Sequence, residues 1–101
     1  MKLDSNANDV GKYALINLRK LKLPLEKTAA GNAYFVPVEA VEWDNTPETE
    51  FFVIKLKDKY AEAALRAYAS DAAQDDLEYA VDVIQLALRA GHHHPLCKKP
   101  D

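Results

Sequence analysis

His92, His93, His94 and Cys97 are the side chains best suited to chemistry in this sequence. Imidazole nitrogen and thiolate sulfur are the usual soft-metal ligands, and His94 and Cys97 stand three residues apart. A structural zinc site takes four ligands, normally as two separated pairs, and the sequence supplies no second pair. Three consecutive histidines also cannot all turn toward one ion on an ordinary backbone. His92, His94 and Cys97 are therefore weak metal candidates, and no cofactor is expected.

Cys97 next to imidazoles could act as an activated nucleophile. Catalysis needs a preorganised thiol, however, and a polar segment flanked by Pro95 and Pro100 promises a mobile one. Carboxylates are plentiful, but paired acids do proton chemistry only where a cleft drives their pKa values apart. Most of these sit in turns, at helix caps or on faces expected to be exposed. Asp82 lies inside the apolar stretch of the last helix, where Glu78 and Gln85 share its spacing and read as a polar stripe. Three glycines in all leave no phosphate-cradling loop. No catalytic residue is expected.

Cationic side chains raise the question of nucleic acid. Lys12, Arg19, Lys20 and Lys22 would lie on a first helix, with Lys12, Arg19 and Lys22 sharing a flank and Tyr13 as a stacking surface, and Lys55, Lys57 and Lys59 follow later. Net charge is -3, whereas nucleic-acid modules are normally basic. Residues 39–82 hold twelve acids against four Lys/Arg, and residues 1–31 hold three against six. The acidic body suits a solvated surface, or a mimic of DNA phosphates, better than a DNA groove. Nucleic acid is the less favoured partner.

The elements that would position these groups follow from periodicity. Asp9 can cap a helix over residues 10–22, with Val10, Ala14, Leu18 and Leu21 on one face, and Pro24 ends it. Tyr13–Leu18 is also strand-compatible. Leu25–Asn32 reads as a loop and Tyr34–Val36 as a short β-prone stretch that Pro37 confines to an edge. Val38–Trp43 and Glu50–Lys57 alternate, and Asp44-Asn45-Thr46-Pro47 between them is a turn signal, so the two are expected to pair as an antiparallel hairpin. Phe52, Ile54 and Leu56 would face one way, with Phe51 and Val53 on the other.

Asp58 can cap a second helix running to Ala73, and Asp75 or Asp76 a third. The third helix is expected to bury Leu77, Val81, Ile84 and Leu88, with Ala80 and Ala87 beside that stripe. Gly91 and Pro95 stop it.

The whole is an α+β domain of 101 residues. A β-hairpin, with a third strand at Tyr34–Val36, packs against a C-terminal helical hairpin, and one N-terminal helix completes the core. One domain is expected over residues 1–101, with a loose start at 1–8 and an extended tail at 92–101. Composition fits, with 49% hydrophobic and 29% charged residues. One cysteine suits a reducing compartment, and no segment approaches the ~20 apolar residues of a membrane span. A cytoplasmic setting is expected, without membrane association.

Three stretches, Lys12–Leu21, Glu50–Ala61 and His94–Asp101, together resemble small uncharacterised proteins encoded in tailed-phage and prophage genomes. The resemblance implies a bacterial host cytoplasm and an accessory role, and it brings no activity or catalytic residue with it. The expected function is accordingly non-enzymatic and regulatory, through binding of a host or phage protein. Tyr34, Trp43, Phe51 and Val53 are the candidate interface residues, since aromatics are enriched at interface hot spots. Phe51 and Val53 exposed beside Trp43 would also make a homodimer patch.

Overall fold

The computed structural model describes residues 3, 5–7, 11–21, 26–27 and 34–100, which divide into two compact units, 2–52 and 53–101. Asp9, Val10, Lys22, Pro24 and the expected loop at Leu25–Asn32, apart from 26–27, lie outside the described residues.

Short polar side chains shape the first unit. The Asn6 carboxamide accepts from the Gly11 backbone N–H at 2.9 Å and donates to the Tyr13 carbonyl at 3.0 Å. A side chain at Gly11 would meet Asn6 at 2.9 Å, so glycine is needed for this approach. The Asn6 backbone N–H donates to the buried Asp44 carboxylate at 2.8 Å, which ties the start of the chain to a residue 38 positions later. Asn6 is therefore held in place, although it falls within the stretch expected to be loose.

Residues 11–21, the described part of the expected helix over 10–22, form no α-helix. Strand β1, Leu15–Ile16, is followed by a 3-10 turn at Leu18–Lys20. Asn17 explains the switch: its side chain accepts from Arg19 N–H at 3.0 Å, and its own N–H donates to the Ala40 carbonyl at 2.8 Å. A local cap and a long-range ladder bond together outweigh the helical spacing of the leucines. Strand β2, Glu26–Lys27, pairs antiparallel with β3, Tyr34–Phe35. A strand is present at Tyr34–Phe35, but it pairs with β2 in a separate two-stranded sheet and does not add the expected third strand to a hairpin. Strand β4, Val41–Glu42, pairs antiparallel with β1, with Leu15 opposite Glu42 and Ile16 opposite Val41.

The expected hairpin between Val38–Trp43 and Glu50–Lys57 is therefore corrected. The ladder partner of Val41–Glu42 is Leu15–Ile16, and Glu50–Lys57 contains no strand. Val38–Ala40 is a 3-10 turn after Pro37, so only the end of that alternating run is extended. The turn signal at Asp44–Pro47 is real, with Glu50 N–H donating to the Thr46 carbonyl at 2.9 Å. The buried Asp44 carboxylate, however, binds Asn6, and the Thr49 hydroxyl donates to the Trp43 carbonyl. The chain turns there without entering a second ladder.

The second unit is a helical hairpin closed by its own tail. Asp58 was expected to cap helix α1, Ala61–Ala72, but the N-cap is Tyr60 and carries no side-chain cap bond. Asp58 instead closes the turn before the helix by accepting from Tyr60 N–H at 2.7 Å. Asp76 is the N-cap of helix α2, Leu77–Ala87, accepting from Tyr79 N–H at 3.0 Å. Gly91 turns the chain at φ 61°, where its N–H donates to the Leu56 carbonyl at 2.9 Å. The tail then returns: Lys98 N–H donates to Lys57 O at 2.9 Å, and Lys59 N–H donates to Lys98 O at 2.8 Å. This one parallel bridge, Asp58 to Lys98, fastens residues 92–100 to the approach of α1.

The core of this unit is built from small side chains. Ala61, Ala69, Ala80, Val83, Ala87 and Ala90 are buried. Alanine at facing positions lets two helices approach closely, and Ala80, Val83 and Ala87 recur at three and four residues along α2. The stripe expected to be buried, Leu77, Val81, Ile84 and Leu88, lies about a quarter-turn away from them at 100° per residue. Leu77, Val81 and Leu88 are exposed and Ile84 is half-buried. Both stripes have helical period, so spacing alone does not choose between them.

Candidate functional site

Glu62, in the first turn of α1, gathers the most polar chemistry in the second unit. Arg66 approaches Glu62 Oε2 with Nε and Nη2, each at 3.0 Å, one turn along the helix. His93 Nε2 lies 2.9 Å from the same oxygen, and His92 Nε2 lies 3.4 Å from Oε1. The Arg66 hydrogen bond, followed by that of His93, holds the Glu62 carboxyl below the usual carboxylate range. Gly91 comes so close that an added side chain would sit 3.1 Å from Glu62 Cβ. The cluster fastens the segment after α2 to the start of α1. Only the Glu62–Arg66 spacing of four marks it in the sequence, because His92 and His93 stand 30 and 31 residues from Glu62.

This arrangement decides the fate of the proposed metal ligands. His92 turns to Glu62, while His94 Nδ1 accepts from Leu96 N–H at 3.0 Å and stays within its own turn. Cys97 is half-buried, and its N–H donates to the His94 carbonyl at 3.1 Å. His92, His94 and Cys97 therefore do not converge, and among the described residues no group of three or more His, Cys, Asp or Glu is placed to hold a metal. Cys97 is also held by backbone hydrogen bonds, contrary to the expected mobility.

The cationic candidates lose their helix. Lys12, Arg19 and Lys20 are exposed, but Lys12 lies on a bend and Arg19 and Lys20 on a 3-10 turn, with no common helical flank. Lys20 pairs with Glu42 at 3.0 Å, and Asn17 donates to the same carboxylate oxygen at 3.1 Å. These bonds, Asn17 first and Lys20 second, lower the Glu42 pKa. Lys22 lies outside the described residues.

Among the interface candidates, Tyr34 lies in β3, Trp43 follows β4 and Phe51 is the penultimate residue of the first unit, while Val53 belongs to the second. Trp43 is 50% exposed, whereas Phe51 and Val53 are half-buried. Phe52, on the opposite phase, is 70% exposed. Burial alternates only over Phe51–Ile54, where Phe51 and Val53 are half-buried and do not lie exposed beside Trp43 as the expected patch required. Leu15, Ile16, Leu18 and Val38 add further exposed apolar area in the first unit.

In the second unit exposed apolar side chains run along α2 to its C-cap. Leu77 is 67%, Val81 49% and Leu88 51% exposed. On another face, the Tyr68 and Tyr79 hydroxyls meet at 2.7 Å over an open groove whose acids are Asp71, Asp75 and Asp76. No helix among the described residues is long and apolar enough to cross a membrane. No family model matches the chain, and no curated protein or solved structure gives a match.

Proposed function

We infer that the chain is a non-enzymatic accessory or regulatory protein that acts by binding another protein. The observation that carries this reading is a reversal of side-chain size between interior and surface. Every buried apolar residue among those described is alanine or valine, while Trp43, Phe52, Leu77, Val81 and Leu88 face outward. Single exposed apolar residues are ordinary, but this many large ones over an alanine core favour surfaces that a partner covers. Trp43 and Phe52 offer the anchors in the first unit, since large aromatics supply most of the energy of such contacts. The resemblance to phage and prophage proteins supports a bacterial cytoplasm as the setting, with a host or phage protein as partner.

Capture from bacterial lysate on an N-terminal tag tests this, run with and without nuclease. One protein retained after nuclease treatment, and lost with Trp43→Ala plus Phe52→Ala, is the expected result. Loss of all bound material on nuclease treatment would contradict it and transfer the role to nucleic acid at Lys12, Arg19, Lys20 and Lys22.

A further inference from the structure

We propose that the exposed stripe of α2 is the interface for a second copy of this chain, docked antiparallel about a two-fold axis. The inference rests on the same reading of uncovered apolar surface, and it names the occupant of one part of it. Leu77, Val81, Ile84 and Leu88 are separated by four, three and four residues, a spacing that reads the same in both directions. An antiparallel copy therefore sets Leu77 level with Leu88 of the second copy, and Val81 level with its Ile84. Such self-complementarity is what an isologous two-fold contact requires. Spacings of four and three are also those of a seam between two helices.

Charge selects the antiparallel orientation. The approach and first turn of α2 are acidic, with Asp75, Asp76 and Glu78, and Arg89 follows the C-cap Leu88, its Nη1 donating to the Gln85 carbonyl at 2.9 Å. At 100° per residue, Glu78 and Arg89 fall on the flank of the stripe away from Ala80, Val83 and Ala87, the residues buried in the core. In the antiparallel register Glu78 lies about 3 Å along the axis from Arg89 of the second copy, at both ends of the contact. A parallel copy would place the acidic ends together. Asp82, on the same flank, sits further round toward solvent and does not enter the seam. Helix α2 has eleven residues, about 16 Å of length, so the contact is smaller than the ~800 Å² per partner of a standard interface. Association is thus expected to be weak, with Kd of order micromolar.

Sedimentation equilibrium of the purified full chain over a wide concentration range tests the proposal, independently of any capture from lysate. A reversible dimer is expected, abolished by Val81→Asp with helical circular dichroism retained. Glu78→Arg or Arg89→Glu alone should weaken it roughly tenfold, and the double reversal should return Kd to within about threefold of the original. A monomer at all concentrations would overturn the proposal. So would a dimer indifferent to Val81→Asp, or single reversals that the double variant fails to rescue.

Discussion

Glu62 is held by Arg66 and His93, and its carboxyl is displaced below the usual carboxylate range. A carboxylate whose pKa is lower folded than unfolded stabilises the fold above its unfolded value and loses that contribution as pH falls through the folded one. Urea midpoints of the natural chain and of Glu62→Gln should therefore differ most near neutrality and converge in acid. A gap that stays constant with pH would contradict the assignment. Gly91 is a sharper case, because φ of 61° and the approach to Glu62 act together. Gly91→Ala should cost about 1–2 kcal/mol in urea unfolding from the left-handed backbone alone. Asp76→Ala should cost about 1 kcal/mol through loss of the α2 cap. Asp76 and Gly91 were legible from residue type and position, since caps and left-handed turns have local signatures. The Glu62 cluster was not, because nothing local ties a helix-start glutamate to a histidine 31 residues away.

At the scale of elements, both long helices could be read from spacing, caps and the stop at Gly91. Which face of α2 turns inward could not. Leucine and valine at one helical phase and alanine at another both satisfy the period, and hydrophobicity favours the larger set. The structure buries the smaller set, because alanine allows α1 and α2 to approach closely. The two stripes should respond in opposite ways to substitution. Ala87→Leu forces bulk into a close helix contact and should destabilise by about 1–3 kcal/mol. Leu77→Ala removes an exposed side chain and should change stability by less than about 0.5 kcal/mol when the chain is dilute. Strand pairing was the least legible feature. Residues 10–22 carry both helical and extended signals, and the decision rests with the Asn17 bond to Ala40, a contact across 23 positions. Glu50–Phe52 and the residues after it alternate like a strand, yet they enter no ladder, and alternation alone supplies no partner.

Across the molecule, size and charge are arranged unlike a protein that meets only water. Among the described residues the buried apolar side chains are alanines and one valine, while Trp43, Phe52, Leu77, Val81 and Leu88 are exposed, and acids precede α2 where Arg89 follows it. α+β class and the helical hairpin were readable in advance from composition and period, whereas surfaces for a partner were not, since exposure is a property of packing. Radical footprinting of the dilute full chain, read residue by residue by mass spectrometry, tests the central claim most directly. Trp43, Phe52, Leu77, Val81 and Leu88 should be modified at rates typical of exposed side chains, with Val83 protected. Protection of Leu77, Val81 and Leu88 in the dilute chain, at the level of Val83, would mean that the chain covers this surface itself and would contradict the account.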